Sequence, residues 1–460
     1  MDGRLLCYFA RATVIASGGF GRIYRVSTNA VINEGMGAAI ALETGLATLG
    51  NMEAVQFHPT GIFPAGILVT EGCRGDGGLL LDGAGHRFMP DYEPEKRELA
   101  SRDVVSRRME EHIGAGHGAS SRFGEHLWLD IRLLGADHIN GKLREVKEIC
   151  QYFLGIDPTE ELIPVRPAQH YSMGGVRTDA HGHSPRLQGL FAVGEAACWD
   201  MHGFNRLGGN SVAETVVAGM IAGEAIADFC ASAQGQATFS TALARDAVAA
   251  QAELLKSLSA PDGSESPMDL MRQMQETMTD KVGIFRHGDS LREAVDTLLD
   301  LQRRCRQVHL RSSAAGVNPE LVAAYRLPRM IKLALCVAYG ALQRTESRGA
   351  HYRADFPQRD DLQWLKRTLA SWPSPEDELP TLDYEPLDIM AMELPPGWRG
   401  YGARDFIPHP DSEARLRQIE QLLAAEGDLD RHARQNLLMP FLHLLPPGFR
   451  ELNQRLGDDA

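Results

Sequence analysis

The sequence predicts an α/β domain split in two by an inserted α+β domain, followed by a helical bundle and a small C-terminal domain. Three observations lead there. Two short apolar runs, Ala12–Ala16 and Leu190–Val193, each end in a glycine turn, as buried strands of an α/β layer do. Between them the text changes to short strands and glycine turns, and beyond Thr238 it becomes helically periodic.

Taken in order, the Ala12–Ala16 run meets Ser17-Gly18-Gly19-Phe20-Gly21, a tight turn, and Asn33 to Ala38 opens a small-residue helix. No G-x-G-x-x-G fingerprint follows a strand anywhere, so the chain reads as beginning mid-fold. Residues 53–169 form the insertion, with a polar helix near Arg102–His112. The α/β pattern resumes at Leu190 and continues into a helix from Ser211 to about Phe229. Ser211 and Glu214 are spaced as a capping box there, as are Ser290 and Glu293 further on. In the bundle, Leu291, Val295, Leu298 and Leu299 share a face, and Asn318-Pro319 reads as an N-cap with proline in the first helical position. The stretch Ser371–Pro410, rich in Pro, Asp and Glu, reads as a surface meander. A last amphipathic helix carries Leu416, Ile419 and Leu423 and stops at Gly427. The expected domain limits are 1–52, 53–169, 170–237, 238–370 and 371–460.

Composition narrows the function classes. The chain has 460 residues and a net charge of -14, from 47 Lys and Arg against 61 Asp and Glu, which argues against a nucleic-acid surface. An anionic small substrate remains open, since a cleft can focus a local cluster of cations. The 7 cysteines are scattered, odd in number and never spaced C-x-x-C, so they read as reduced thiols with no metal site. No apolar run reaches the length of about 18 residues that a membrane span needs.

Four places put polar groups in glycine-rich turns: His58 in Gln56–Gly61, Glu71 and Arg74 in Thr70–Gly78, Arg102 in Ala100–Asp103, and the segment from His170 to Ser211. Each has a plain structural reading: a turn histidine, a Glu71–Arg74 ion pair three residues apart, a solvated arginine, and close helix packing. The start of the Ser211 helix could instead turn free backbone N–H groups toward an electron-rich ligand.

Together the phrases QFHPTG (56–61), TEGCRGDGG (70–78), SRDVV (101–105), HYSMGGV (170–176), GLFAVGE (189–195), HGFNRLGGNS (202–211) and ESRGAH (346–351) resemble the flavoprotein subunits of succinate dehydrogenases and fumarate reductases. The resemblance runs from about residue 10 to the C-terminus. TLASWP (368–373), RGYGA (399–403) and RLGD (455–458) are most similar to the menaquinol-linked fumarate reductases of the epsilonproteobacterial type. The resemblance implies an incomplete FAD-binding α/β domain, an inserted capping domain, FAD as cofactor, and hydride transfer between the flavin and a C4 dicarboxylate.

By resemblance, His58, Thr70, His170 and Arg206 hold the substrate carboxylates, and Arg102 donates the proton, resupplied through Glu71 and Arg74. Gly18, Gly19, Glu34, Glu195, Ser211 and Val212 match FAD-contacting positions. The covalent flavin site is not in this chain, so the reading is of an N-terminally truncated subunit that is inactive when isolated. Implied partners are an iron–sulfur subunit and a membrane cytochrome b subunit, with a cytoplasmic, peripheral location on the inner face of the cell membrane. L-aspartate oxidase shares several of these motifs and is the alternative enzyme reading; a non-catalytic remnant is the other.

Overall fold

The structure is a computed structural model that describes residues 5–233, 235, 239–258, 263–312 and 317–387. It divides into two units, one of residues 1–358 with 368–384 and one of residues 359–367 with 385–460.

In the first unit, β1 (Thr13–Ile15) pairs in parallel with a later strand, and Gly18 then turns the chain with φ 72. The turn is as read, but the strand is less buried than expected: Thr13 and Val14 are exposed and only Ile15 is buried. Gly35, left-handed at φ 78, starts α1 (Met36–Leu42), whose alanines pack inward. After β2 (Leu49–Gly50) comes the capping sheet: β3 (Val55–Ile62), β4 (Ile67–Leu68), a one-turn α2 (Gly72–Gly75) and β5 (Leu79–Leu81). It continues through α3 (Met89–Tyr92), α4 (Arg102–His112), β6 (Ala119–Ser121), β7 (Gly124–Asp130), α5 (Ala136–Lys142), α6 (Arg144–Leu154) and β8 (Ile163–Ser172). The sheet order is β4-β3-β8-β7-β5, with β6 paired to β7. Its apolar face has its own core of aliphatic and sulfur side chains around Leu127, Leu129, Ile163 and Val165.

The chain returns through β9 (Gly175–Arg177) and β10 (Leu190–Ala192), the partner of β1, with Thr13 opposite Leu190. β11 (Ala197–Cys198) follows, then α7 (Asn210–Ala231), α8 (Thr241–Leu258), α9 (Pro267–Lys281), α10 (Gly288–Arg304) and α11 (Pro319–Gln343). The bundle forms as its periodicity requires: Leu291, Val295 and Leu298 are buried and Leu299 half-buried. Asn318 caps α11, its side chain accepting from Leu321 N at 3.1 Å.

Neither expected capping box forms. Gly209 in a left-handed conformation starts α7 without a side-chain cap, and Glu214 turns inward to other partners. His287, one turn earlier than read, caps α10 through Asp289 N, while Glu293 pairs with Lys281. The segment read as helical to residue 370 also holds a strand, β12 (Lys366–Ser371), whose Leu369 and Ala370 pair antiparallel with β2. The expected meander contains β13 (Thr381–Pro386), so the second large sheet runs β11-β9-β2-β12-β13. A polar stretch becomes a strand here because a paired neighbour supplies its backbone partners.

In the second unit, α12 (Asp361–Trp364) is capped by Asp360, whose carboxylate accepts from Leu362 N and Gln363 N. The motifs RGYGA and RLGD, the helix around Leu416, Ile419 and Leu423, and its stop at Gly427 lie outside the described residues.

Candidate active site

The site grows from an irregularity in the β3–β8 ladder. Gln56 faces Tyr171 and Phe57 faces Gln169, so His170 is an extra residue on its strand. Such a bulge re-aims a side chain. The His170 ring thereby lies 4.9 Å from the ring of His58. Thr28 Oγ1 holds His170 Nδ1 at 2.7 Å, and Arg206 Nη2 meets His170 Nε2 at 2.8 Å. A guanidinium only donates, so His170 Nε2 is an acceptor and the ring carries its proton on Nδ1, donated to Thr28 Oγ1. Burial, followed by the charges of Arg206 and Arg102, holds His170 down to about 3. His58 is held well below its ordinary value by burial and then by His170 and the surrounding arginines. Both imidazoles are therefore neutral at physiological pH.

Three arginines converge on these rings. Arg206 is buried, stacks at 4.4 Å on the Tyr171 ring, and donates through Nη1 to Leu207 O at 2.9 Å. Arg102 opens α4 and donates from Nε to Glu71 Oε2 at 2.7 Å. Arg74 is buried in α2 and donates to Glu98 O. The predicted Glu71–Arg74 ion pair is thus replaced by Glu71–Arg102, because α4 delivers a guanidinium directly onto the carboxylate. Arg74 and Arg206 are both held below the ordinary arginine value, chiefly by burial. Buried cations normally saturate their donors. Here Arg74 Nε and Nη2, Arg102 Nη1 and Arg206 Nε have no partner among the described residues.

Thr70 sits at the exposed lip, its hydroxyl accepting from Gly72 N at 3.3 Å. Several positioning residues carry no role in the sequence reading although they lie within the quoted motifs. Gln56 Nε2 donates to Asn205 Oδ1 and to Arg206 O, both at 2.7 Å, and Asn205 Nδ2 donates to Asp103 Oδ1 at 2.9 Å. This chain of amides ties the Arg206 loop to β3 and α4. Glu214 accepts from Tyr171 Oη and meets His202 Nε2 at 2.9 Å, fixing the base of the ring under Arg206.

Of the residues expected at the cofactor, Gly19 and Glu195 meet at Ser172, two residues beyond His170. A Cβ on Gly19 would lie 2.4 Å from Glu195 Oε1 and 2.9 Å from Ser172 Oγ, so any side chain there would have to displace both. The Glu195 carboxylate accepts from Ser172 N at 2.9 Å, and burial pushes it up to about 7. Ser211 is half-buried and Val212 exposed in the first turn of α7. A Cβ on Gly208 would lie 3.2 Å from Arg102 Nη2, which places the approach to that turn beside the Arg102–Glu71 pair. Glu34 is held by Arg326 at 2.8 Å. A glycine-lined close approach, an acidic side chain and an uncapped helix start fit a flavin cofactor, with the dipole of α7 favouring electron-rich groups at its head.

Comparisons with known proteins decide the family. Residues 1–212 match the family described as FAD binding domain, and residues 271–401 match the fumarate reductase flavoprotein C-terminus. The fumarate reductase flavoprotein subunit of Helicobacter pylori is 49% identical over the whole of this chain and 68% of its own length. This chain belongs to the fumarate reductase and succinate dehydrogenase flavoprotein family. The Escherichia coli and Rickettsia bellii members are 39% and 37% identical, each over 87% of this chain and over 67% and 68% of their own lengths. The higher identity to the H. pylori protein agrees with the epsilonproteobacterial resemblance. A solved E. coli quinol fumarate reductase flavoprotein superposes with a TM-score of 0.82 at 37% identity, covering 88% of this chain and 70% of that one. The family is an oxidoreductase family with an FAD-binding domain, as the motifs implied. Among the described residues no helix is long and apolar enough to cross a membrane.

Proposed function

We propose that this chain, as the flavoprotein of a respiratory complex, interconverts fumarate and succinate with FAD. The observation that carries the proposal is the set of four unpartnered N–H positions on three clustered guanidiniums beside two neutral histidines. A dianionic dicarboxylate satisfies such a set, because charge-assisted hydrogen bonds from arginine to carboxylate are the strong ones. On this reading Arg206, oriented by His170 Nε2, holds one carboxylate, and His58 and Thr70 hold the other; the proton of His170 goes to Thr28, so this ring, matched by resemblance to a carboxylate contact, acts through Arg206.

FAD, when bound, supplies two-electron transfer; Gly18, Gly19, Glu195, Ser211 and Val212 would hold it, with Glu34 fixed nearby by Arg326. The chain's own contribution is orientation and a proton. Fixing both ends of a planar diacid polarises its double bond and puts one carbon against Arg102. Arg102 gives that carbon a proton, and Glu71, bonded to Arg102 Nε, returns one to the guanidinium. Arg74 touches Glu98 rather than Glu71, so its share in resupply is electrostatic. The domain limits set out above assign the cleft to the junction of the FAD-binding and capping domains.

Kinship with a solved quinol–fumarate reductase holding menaquinol supports electron delivery through partners, which we take to be an iron–sulfur subunit and a membrane cytochrome b subunit. The chain would then sit peripherally on the cytoplasmic face of the membrane.

Two measurements test this. Calorimetric titration of the purified chain with fumarate or malonate should show binding that Arg206→Ala abolishes. With FAD added, any oxidation of reduced viologen should follow addition of fumarate and not of aspartate, and turnover by this chain would overturn the reading that it is inactive when isolated. Absence of dicarboxylate binding, or binding indifferent to Arg206→Ala, would sink the proposal.

A further inference from the structure

A second constellation lies at the other end of α4, away from the substrate arginines. α4 begins at Arg102 and ends at His112, so at a rise of about 1.5 Å per residue its two ends are roughly 15 Å apart. Beyond His112 the backbone widens into a single turn, Ile113–His117, which Gly116 breaks with φ 85. The turn brings His117 back over His112, the two rings stacked at 4.6 Å and 28°. The loop after β5 closes on them from the other side. Gly83 N donates to His117 O at 2.9 Å, and Asp82 Oδ2 lies 3.4 Å from His112 Nε2. One ligand-capable atom from each of Asp82, His112 and His117 lies within 4.8 Å of both others.

We infer that Asp82, His112 and His117 form a binding site for a divalent transition-metal ion such as Zn2+. Two imidazoles and one carboxylate are the donor set such ions take when solvent or another ligand completes the shell. Two of the three ligands are prepared by partners. Asp82 Oδ1 accepts from Ala84 N at 2.9 Å and His86 N at 2.8 Å, which leaves Oδ2 facing the histidines. His112 Nδ1 lies 3.0 Å from Tyr92 Oη, and its ring stacks on Phe88 at 4.3 Å and 12°. Without an ion, His112 Nε2–H faces the Asp82 carboxylate and Tyr92 Oη–H donates to Nδ1; an ion would displace the Nε2 proton, and the tyrosine oxygen would then accept from Nδ1–H, as partners of metal-bound histidines do.

A tetrahedral site with bonds near 2.0 Å has ligand–ligand edges of about 3.3 Å. Closing on an ion therefore requires movement, and His117, exposed at the mouth, supplies it by swinging out of its stack. The bound ion would cross-link the β5 loop to the C-terminal end of α4.

The test uses the full chain, stripped with a chelator and titrated with Zn2+ against a chromophoric competitor, and with Co2+ followed by its visible absorption. The chain should bind one equivalent with intense low-symmetry Co2+ bands. His117→Ala, at an exposed position that leaves the fold intact, should weaken binding by at least about tenfold and bleach those bands, since even second-shell losses cost that much. Asp82→Asn keeps an oxygen for the two backbone donors and should weaken binding similarly. His86→Ala, which removes the neighbouring imidazole paired with Asp91, should leave binding unchanged. No stoichiometric binding by the wild-type chain overturns the inference. So does unchanged binding in both His117→Ala and Asp82→Asn, or a loss in His86→Ala equal to theirs.

Discussion

Behind the substrate cleft, charge is buried and answered within the chain; along the outer face of α7, apolar surface is exposed and unanswered among the described residues. Arg344 and Glu53 are fully buried and joined at 2.8 Å, and Glu53 also accepts from Thr368 Oγ1 at 2.7 Å. Arg344 further donates to Glu346 at 2.9 Å and stacks on Phe204, while Arg286 beneath meets His351 Nδ1 at 2.7 Å. Phe204 O in turn accepts from Ala350 N, so this network braces the strand of chain that leads into Asn205 and Arg206. In α7, by contrast, only Glu214, Ala218 and Ala222 are buried, while Val212, Val216 and Met220 are 71%, 58% and 66% exposed. The lesson is that buried charge is costly wherever its hydrogen bonds go unmet, so it is paired in this network and left open mainly at the substrate cleft, whereas an apolar helix face can be left open at far lower cost.

Breaking the buried side should have the largest effect. Glu53→Gln leaves Arg344 inside the protein with one carboxylate fewer, and removing one partner of a buried pair costs about 3–5 kcal/mol. Denaturant unfolding should show that loss with an unchanged slope. A loss below about 1 kcal/mol would mean that water reaches the network. Next, Arg206→Ala should lower turnover by roughly 10²–10³-fold in the flavin-loaded enzyme, the cost of one preorganised donor at a developing charge. Gln56→Leu, which only frees the Arg206 loop, should raise KM more than it lowers kcat; equal losses would make Gln56 part of the chemistry rather than of positioning.

A smaller effect sits at Glu195, in the turn whose Gly194 packs against Thr215 of α7. Its folded-state value, about 7, lies above the ordinary 4.5 of a free glutamate. The folded state therefore takes up a proton between these limits; the stabilisation is complete below about 4.5 and is lost as pH rises through 7. Glu195→Gln keeps an acceptor for Ser172 N and should stabilise the flavin-free chain at pH 8.5 by on the order of 1 kcal/mol, given that it is only partly buried, with no gain at pH 4. A gain at both values would point to packing instead of ionisation.

How far each region could be read from the sequence follows the range of the forces that build it. His58, Arg102, His170 and Arg206 stand in compact motifs, and the structure brings them together. The bulge that turns His170 toward His58 is a property of two paired strands, invisible in either alone. Glu71 was matched to Arg74 by a local three-residue rule, while its partner Arg102 arrives from 31 positions away on another helix. The Ser211 and Ser290 boxes failed for the same reason, since Glu214 is drawn to Tyr171 and His202 and Glu293 to Lys281. Asp82, His112 and His117 show no ligand spacing in the text, because the β5 loop and a widened helix turn bring them together.

The smallest expected effect sharpens the comparison within one helix. Ala218 is buried on the inner face of α7, two residues from Val216 on the outer face. Ala218→Leu adds three carbons where the helix packs closely and should cost about 1–3 kcal/mol. Val216→Thr replaces a methyl by a hydroxyl in contact with solvent and should change stability by no more than about 0.5 kcal/mol. The pair separates two accounts of this face. If it is open in solution, the inner substitution is costly and the outer one silent. If Val216→Thr costs more than about 1 kcal/mol, the hydroxyl is being buried, and the outer face of α7 is covered in the protein as it exists in solution.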